Sequence, residues 1–211
     1  MQIYNYFFIV RAFNLSLLLE MKLVFASNNR GKIREAAEIL GDGFTLLTPS
    51  EAGILEDIPE TGTTLSGNSL QKARYIYEKT GLDCFADDTG LEVECLGGAP
   101  GVHTARYAGE DKNPSANIDK LLREMSGAEN RRARFHTSVT LILGGEYHFF
   151  EGIMDGSIAL ERSGKGGFGY DPVFVPEGLS CTAAELSEEE KNAISHRGKA
   201  LRAMAEYLKG R

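Results

Sequence analysis

Short apolar runs alternate with segments of helical periodicity along the first half of the chain. A continuous apolar run at residues 23–26 is typical of a buried strand, and Phe44–Leu47 indicates a second short one. Apolar residues spaced three and four apart predict helices over residues 31–40 and 65–80, each followed by a glycine that ends it. The polar turn between the first strand and the first helix is therefore a candidate binding segment.

The second half of the chain predicts longer strands. Residues 83–88 are interpreted as a central strand, and residues 91–95 as a strand that pairs with it. A helix is predicted over residues 114–125, with proline at its first position. Residues 132–143 and 146–160 predict two long strands joined by a Gly-Gly hairpin turn. Three shorter features complete the interpretation: a strand at residues 173–175, a capping box that begins at Ser187 and a last helix over residues 197–208.

The polar turn at residues 27–32 has the properties of a phosphate site. A strand that ends in a small turn and opens a helix brings backbone N–H groups and the positive end of a helix dipole to one point. Lys32 adds a full positive charge, and Ser27 and Asn28 add hydrogen-bond partners. The spacing is not that of a Walker A loop, so an ordinary strand–helix turn stays open as the alternative.

Acidic side chains and one lysine supply further candidates. Asp87 and Asp88 follow an apolar run directly, and adjacent strand residues point to opposite faces, so at most one of them looks into a given pocket. A solvated strand end is the alternative interpretation of this pair. Glu60 lies in a loop rich in Glu, Gly and Pro, where a solvated carboxylate is the simplest interpretation. Lys72 shares a helix face with Asn68 and binds phosphate only if that face looks inward.

A glycine-rich segment at residues 162–172 offers a different kind of contact. Four of six consecutive residues in it are glycine, which allows close approach of the backbone to a ligand. Phe168 and Tyr170 in the same segment have side chains that can stack on a flat ring. The segment therefore suits a nucleotide base.

Composition limits the classes of partner. The 211 residues are 42% hydrophobic and 25% charged, which suits one large domain or two lobes around a cleft. A net charge of -7 argues against general nucleic-acid binding, but not against a small anion whose charge is offset by local cations. Cys84, Cys95 and Cys181 are widely spaced, which favours a reduced intracellular chain with buried thiols.

The first twenty residues are treated separately from the rest. They are rich in apolar and aromatic side chains, but they have no basic segment before the apolar run and no small-residue cleavage site. Neither apolar piece reaches the roughly 20 residues that a bilayer span needs. We predict that residues 1–20 are an extension outside the catalytic fold; a peripheral membrane anchor is the alternative.

The candidate segments complement one another. They combine a phosphate cradle, carboxylates for a hydrated cation, and a glycine-aromatic loop. Magnesium is usually bound through one or two carboxylates plus the phosphates of a substrate, and Asp88 and Glu60 suit that count. The residues therefore indicate a magnesium-dependent site for a nucleoside triphosphate.

Six motifs then point to a known family. They are S-N-N-R-G-K at 27–32, A-D-D-T-G-L at 86–91, G-G-A-P-G at 97–101, A-R-Y at 105–107, F-G-Y-D-P at 168–172 and K-N-A-I-S-H-R at 191–197. In this order and spacing the chain resembles the inosine triphosphate pyrophosphatase family, whose members remove deaminated purine nucleotides. The resemblance covers about residues 21–209. Gly67 is a departure, because many members carry Glu at that position.

The resemblance implies a fold and an activity. The expected fold is α/β, with a long curved mixed β-sheet flanked by helices and two lobes around a central cleft. The expected reaction is hydrolysis of ITP, dITP and XTP to the nucleoside monophosphate and pyrophosphate. The expected protein is a cytoplasmic homodimer that binds neither nucleic acid nor membranes. A pyrophosphatase for other modified nucleotides and a non-catalytic nucleotide sensor stay open as alternatives.

The resemblance also implies roles for individual residues by matching position. Glu60 and Asp88 match ligands of Mg²⁺, and Asp88 also matches the general base. The residues that match the triphosphate cradle are Ser27, Asn28, Asn29, Arg30, Gly31 and Lys32. Further substrate contacts are Lys72, Thr89 and Arg106. The residues expected around the base and sugar are Phe168, Gly169, Tyr170, Asp171, Lys191, His196 and Arg197. A donor from His196 or Arg197 is expected to bind the 6-oxo group of the base.

Overall fold

The computed structural model describes residues 21–210, so the predicted extension at residues 1–20 lies outside the described residues. Within that range, one mixed sheet of seven strands runs through the molecule. Its strands are β1 (Met21–Phe25), β2 (Phe44–Leu47), β3 (Cys84–Val93), β4 (Pro100–Gly101), β5 (Arg132–Leu143), β6 (Glu146–Ile158) and β7 (Phe174–Pro176). The order across the sheet is β2-β1-β3-β5-β6-β7, and β4 pairs with β3.

Helices cover the sheet and begin at the capping residues that the sequence offers. They are α1 (Arg30–Leu40), α2 (Leu65–Thr80), α3 (Pro114–Glu124), α4 (Glu188–Ile194) and α5 (His196–Lys209). The side chain of Asn113 accepts hydrogen bonds at the start of α3, and that of Ser195 accepts one at the start of α5. The predicted helices and the α/β class are thus confirmed. No helix within residues 21–210 is long and apolar enough to cross a membrane.

The direction of the strands changes at β3. Strand β1 is parallel to both β2 and β3, whereas β3 is antiparallel to β5 and β5 is antiparallel to β6. The predicted hairpin between β5 and β6 is confirmed, with Gly144 and Gly145 at φ values of 57° and 87°. The sheet is therefore mixed, and β3 lies where its parallel and antiparallel parts meet.

The prediction of two paired strands at residues 83–88 and 91–95 is wrong. Residues 84–93 form one strand, and all of it pairs with β5, from Cys84 opposite Ile142 to Val93 opposite Ala133. Gly90 suggested a turn, but a Cβ atom at Gly90 would lie only 2.9 Å from the carbonyl oxygen of Gly101 on β4. This glycine therefore permits close approach of a neighbouring strand.

Both faces of β3 are buried. On one face Phe85 stacks on Phe25 and packs with residues of α1 and α5. On the other face Cys84 and Ala86 pack with Ile76 of α2. A long strand with helices on both sides can hold polar residues in two separate buried environments.

The three cysteines differ in burial. All are free; Cys84 is buried in the core, as predicted, but Cys95 is exposed and Cys181 is half-buried. The prediction of a buried thiol is therefore wrong for Cys95. It lies in the short helical turn that follows β3, past the point where the strand leaves the core.

Candidate active site

A cleft of about 490 Å³ gathers most of the predicted site residues. Its walls come from the β1–α1 turn, the loop before α2, β3, the segment after β4, the loop before β7 and the start of α5. The predicted residues that line it are Ser27, Asn28, Asn29, Lys32, Glu60, Lys72, Asp88, Thr89, Arg106, Phe168, Gly169, Tyr170, Asp171, Lys191, His196 and Arg197. Arg30 and Gly31 begin α1 instead and are not among its lining residues. Segments far apart in the sequence thus meet at one place.

The β1–α1 turn is held by its own cap. The side-chain oxygen of Asn29 accepts hydrogen bonds from the backbone N–H groups of Gly31 and Lys32, at 2.9 and 3.2 Å. Ser27 in turn accepts a hydrogen bond from the backbone N–H of Asn29 at 3.2 Å. Because two helix N–H groups are engaged by the cap, the main charge that this turn brings to the cleft is the ammonium group of Lys32.

Asp87 and Asp88 point to opposite faces of β3, as predicted. The carboxylate of Asp87 accepts hydrogen bonds from Lys32 Nζ and Arg197 Nε, both at 3.0 Å. Asp88 lines the cleft and accepts a hydrogen bond from Asn68 Nδ2 at 3.0 Å. The two neighbouring carboxylates therefore have separate sets of partners.

The two carboxylates also titrate differently. Burial alone would raise the pKa of Asp87, but the charges of Lys32 and Arg197 outweigh it and hold that pKa well below its usual range. Burial raises the pKa of Asp88, and the nearby Glu60 adds to this, while Lys72 and Lys32 oppose it. Asp87 is thus a permanent anion, whereas Asp88 is the more basic of the two carboxylates.

Lys72 lies between two carboxylates at the cleft. Its Nζ is 2.5 Å from Oε1 of Glu60 and 3.4 Å from Oδ1 of Asp88. The helix face that carries Lys72 and Asn68 looks inward, and both side chains are buried. Burial lowers the pKa of Lys72, but Asp88, Asp87 and Glu60 raise it more, so the pKa lies above its usual value. Burial raises the pKa of Glu60, but the charge and hydrogen bond of Lys72 and the charge of Lys32 together hold it below its usual value.

Behind the cleft lies a chain of alternating charges that the sequence interpretation missed in part. Lys191 Nζ lies 2.9 Å from Glu35 and 2.7 Å from Asp171. Glu35 also pairs with Arg197, which continues to Asp87. Neither Glu35 nor Asp87 had been assigned a role. The spacing of Glu35 could have indicated its position, because it follows the predicted cradle residue Lys32 by three residues on the same helix, and residues three apart share a helix face.

The glycine-aromatic loop is fixed over the start of α1. Asp171 accepts a hydrogen bond from the backbone N–H of Phe168 at 2.7 Å. The ring of Phe168 lies 4.6 Å from Lys191 Nζ, and a Cβ atom on Gly31 would be 3.0 Å from that ring. Tyr170 is buried, and its hydroxyl donates to the carbonyl of Thr104 at 3.0 Å. Phe168 is therefore the more accessible aromatic ring of the two.

His196 and Arg197 differ in their available donors. The three side-chain nitrogens of Arg197 donate to Asp87, Glu35 and Thr89. Nδ1 of His196 is buried and has no hydrogen-bond partner within residues 21–210. Its ring stacks on Phe135, with centroids 4.6 Å apart. Burial, and then the charges of Arg197 and Lys191, hold the pKa of His196 well below its usual value, so the ring is neutral.

Thr89 and Arg106 lie on different walls of the cleft. The Thr89 hydroxyl is bonded to that of Thr137 at 2.7 Å. Arg106 belongs to a short helical turn at Thr104–Arg106, and its Nε is 3.9 Å from an exposed carboxylate, Glu110. The guanidinium group of Arg106 is therefore only loosely held and remains available to a ligand.

The chain is similar over nearly its whole described length to two bacterial proteins that carry the same name. A protein of Flavobacterium psychrophilum named dITP/XTP pyrophosphatase is 52% identical over 189 residues, which cover 90% of this chain and 100% of that protein. A protein of Porphyromonas gingivalis with the same name is 52% identical over 188 residues, covering 89% of this chain and 97% of that one.

Structural and family comparisons agree with these matches. A HAM1 protein from Coxiella burnetii superposes with a TM-score of 0.83 at 38% identity, covering 90% of this chain and 100% of that one. The profile of the Ham1 family matches residues 23–207. These matches confirm the family resemblance that the six motifs indicate. The chain belongs to the Ham1 family.

Proposed function

We propose that this chain hydrolyses nonstandard purine nucleoside triphosphates, namely ITP, dITP and XTP, to the nucleoside monophosphate and pyrophosphate. The observation that carries this proposal is the single cleft in which the predicted triphosphate, metal and base residues meet. The predicted enzyme class is confirmed by the name dITP/XTP pyrophosphatase that the relatives carry. Such an activity removes deaminated purines from the nucleotide pool.

The donor set at the cleft suits Mg²⁺. No cluster of three His, Cys, Asp or Glu side chains that could hold a metal ion occurs among the described residues. Glu60 and Asp88 instead offer two carboxylates that share one lysine. Mg²⁺ is typically bound by one or two carboxylates together with substrate phosphates. We infer that Glu60 and Asp88 hold it; when bound, it neutralises charge on the phosphate oxygens.

The side chains of the cleft account for the chemistry of phosphoryl transfer. Asp88 takes a proton from a water molecule that attacks the α-phosphorus. Lys32, Lys72 and Arg106 stabilise the negative charge that develops as pyrophosphate leaves. Lys32 and Lys72 are held in place by carboxylates, so they need little reorganisation during the reaction.

Discrimination against adenine is assigned to the unpaired nitrogen of His196, and exclusion of guanine, which also has a 6-oxo group, is assigned to its 2-amino group and to the shape of the pocket. A neutral imidazole with Nδ1 protonated donates to the 6-oxo group of hypoxanthine or xanthine, whereas the 6-amino group of adenine would leave that donor unpaired. Mispairing of a buried polar group can discriminate by several powers of ten. Phe168 supplies the aromatic face on which the base stacks.

We also propose that the protein is a cytoplasmic homodimer. The family resemblance supports the dimer, and free cysteines in the described chain agree with a reducing compartment. Phe149 and Tyr147 on β6 are 56% and 43% exposed, which gives one apolar surface that a second copy would cover. Light scattering on the purified chain tests the assembly directly.

Pyrophosphate release from ITP, XTP, GTP and ATP, each with and without Mg²⁺, tests the proposed activity. We expect strong metal-dependent release from ITP and XTP and little from GTP and ATP. Release from modified pyrimidine or methylated nucleotides alone would favour the alternative pyrophosphatase. Binding without release from any nucleotide would favour the sensor and would overturn the proposed activity.

A further inference from the structure

The hydroxyl of Thr89 lies at the meeting point of three polar groups. Its Oγ1 is 2.7 Å from Thr137 Oγ1, 3.2 Å from Arg197 Nη2 and 3.3 Å from Asp87 Oδ2. Thr89 lines the cleft, whereas Thr137 is completely buried directly opposite it on β5. The buried hydroxyl therefore contacts the cleft only through Thr89.

The direction of these hydrogen bonds follows from the number of donors. A threonine oxygen accepts two hydrogen bonds and donates one, and an arginine only donates. Thr89 is the one side-chain partner that Thr137 has within residues 21–210. If Thr137 did not donate to it, a buried O–H would be left unpaired, which is unfavourable. Arg197 and Thr137 thus fill both acceptor sites of Thr89, which must then act as a donor.

The acceptor that Thr89 has in this structure is a weak one. Asp87 Oδ2 lies 3.3 Å away and already accepts a shorter hydrogen bond, of 3.0 Å, from Arg197 Nε. Oδ1 of Asp87 is occupied by Lys32, which also lines the cleft. The Thr89 hydroxyl can therefore redirect its donated hydrogen bond from Asp87 to another acceptor beside Lys32 at little cost in free energy.

We propose that Thr137, by donating to Thr89, orients the Thr89 hydroxyl so that it donates a hydrogen bond to a phosphate oxygen of the substrate. A phosphate oxygen only accepts hydrogen bonds. A hydroxyl whose donor direction is fixed therefore binds it better than a hydroxyl that can also turn its lone pairs toward it. Thr137 is then a positioning residue that acts through Thr89. This inference rests on the proposed function in one respect, namely that a phosphate-containing substrate occupies the cleft.

The test compares hydroxyl deletions on the two strands. The readouts are the Kd of inorganic pyrophosphate, measured by calorimetry with Mg²⁺, and the KM and kcat for ITP. Thr137→Val should raise the Kd and KM roughly threefold to tenfold with little change in kcat, and Thr137→Ser should restore both values. Thr89→Val should raise them at least roughly tenfold. Thr140→Val is the matched control, because the buried Thr140 hydroxyl on β5 bonds to Ser69, away from the cleft.

A double variant separates positioning from general damage to the strand. Because Thr137 acts through Thr89, Thr89→Val with Thr137→Val should bind no more weakly than Thr89→Val alone. Wild-type binding by Thr137→Val, or a full additional loss in the double variant, would overturn the inference. Thr137→Ala replaces Thr137→Val if thermal unfolding shows that the latter does not fold. If wild-type protein releases no pyrophosphate from ITP, the proposed function fails, while pyrophosphate binding still tests the hydroxyl pair.

Discussion

Asp87 and Asp88 are neighbours on β3, yet their side chains enter two different environments. On the Asp87 side, two cations hold a carboxylate that is 1% exposed, and its pKa lies far below the usual value. On the Asp88 side, the carboxylate borders the cleft, shares Lys72 with Glu60, and has a raised pKa. One chemical group is thus a fixed anion on one face and the proposed general base on the other.

The difference follows from which elements cover each face. The Asp87 side is covered by α1 and α5, whose charged residues Lys32, Glu35 and Arg197 form with Asp87 a chain that alternates in sign. The Asp88 side is covered by α2 and the loop that carries Glu60, which leave an opening to solvent and ligand. A fully paired network holds its geometry, and a carboxylate beside an opening can exchange protons and ligands.

The largest expected effect on stability comes from Asp87→Asn. The change leaves Lys32 and Arg197 with one anionic partner fewer in a buried site, which we expect to cost about 3–5 kcal/mol of unfolding free energy. Urea denaturation followed by circular dichroism measures it, with Asp155→Asn, which changes an exposed carboxylate of β6, as the control. A loss no greater than that of the control would remove the structural role of Asp87.

Glu60→Gln tests the metal assignment on the Asp88 side. Loss of one carboxylate should raise the Mg²⁺ concentration for half-maximal pyrophosphate release at least roughly tenfold, with the fold retained. Glu56→Gln is a matched control, since Glu56 is an exposed carboxylate of the same loop that pairs with Lys79. An unchanged Mg²⁺ requirement would contradict the assignment of Glu60 as a ligand.

Lys32 lies on the boundary between the two sides, because it pairs with Asp87 and also lines the cleft. Lys32→Ala should mainly weaken triphosphate binding, by roughly tenfold or more, because a charged hydrogen bond to phosphate is lost. The KM for ITP measures this, with Lys22→Ala, an exposed lysine of β1, as the control. Full affinity and rate in the Lys32 variant would show that the cradle assignment is wrong.

The smallest expected effect is a pH dependence of stability at His196. Its pKa is lower in the folded chain than in the unfolded one, so the unfolded state binds a proton first as the pH falls. The contribution of His196 to the free energy of unfolding is therefore fully present above about pH 6.5. It decreases below that value, by up to about 1.4 kcal/mol per pH unit. Denaturation of the wild type and of His196→Gln between about pH 7.5 and about pH 5.5, roughly one unit either side of that value, measures the difference. Equal losses of stability in the wild type and in His196→Gln over this pH range would contradict the role of His196.

The sequence predicts the cleft better than it predicts what lies behind it. Asp88 belongs to one of the six motifs, and Glu60 and Lys72 carry charges that complement it, so their convergence is a reasonable expectation. Glu35 is one of two acidic residues on an amphipathic helix, a pattern that usually means a solvated position. Its burial depends on contacts with Lys191 and Arg197, more than 150 residues away in the sequence, and no local pattern predicts such contacts.

Two other features show why local signals mislead. Gly90 lies between the two strands predicted at residues 83–88 and 91–95, but in the structure it is inside one strand, where the close approach of Gly101 explains the glycine. Thr137 is one of several hydroxyl residues on β5, and only the register of β3 against β5 places it opposite Thr89. In both cases the decisive neighbour lies on another strand.

The rate of pyrophosphate release from ITP by Asp88→Asn, measured with Mg²⁺ and per folded molecule, tests the division between the two carboxylates most directly. The account predicts a folded protein that retains part of its nucleotide binding and loses turnover, by roughly a hundredfold or more. Turnover similar to that of the wild type would show that Asp88 is not the base and would contradict the account.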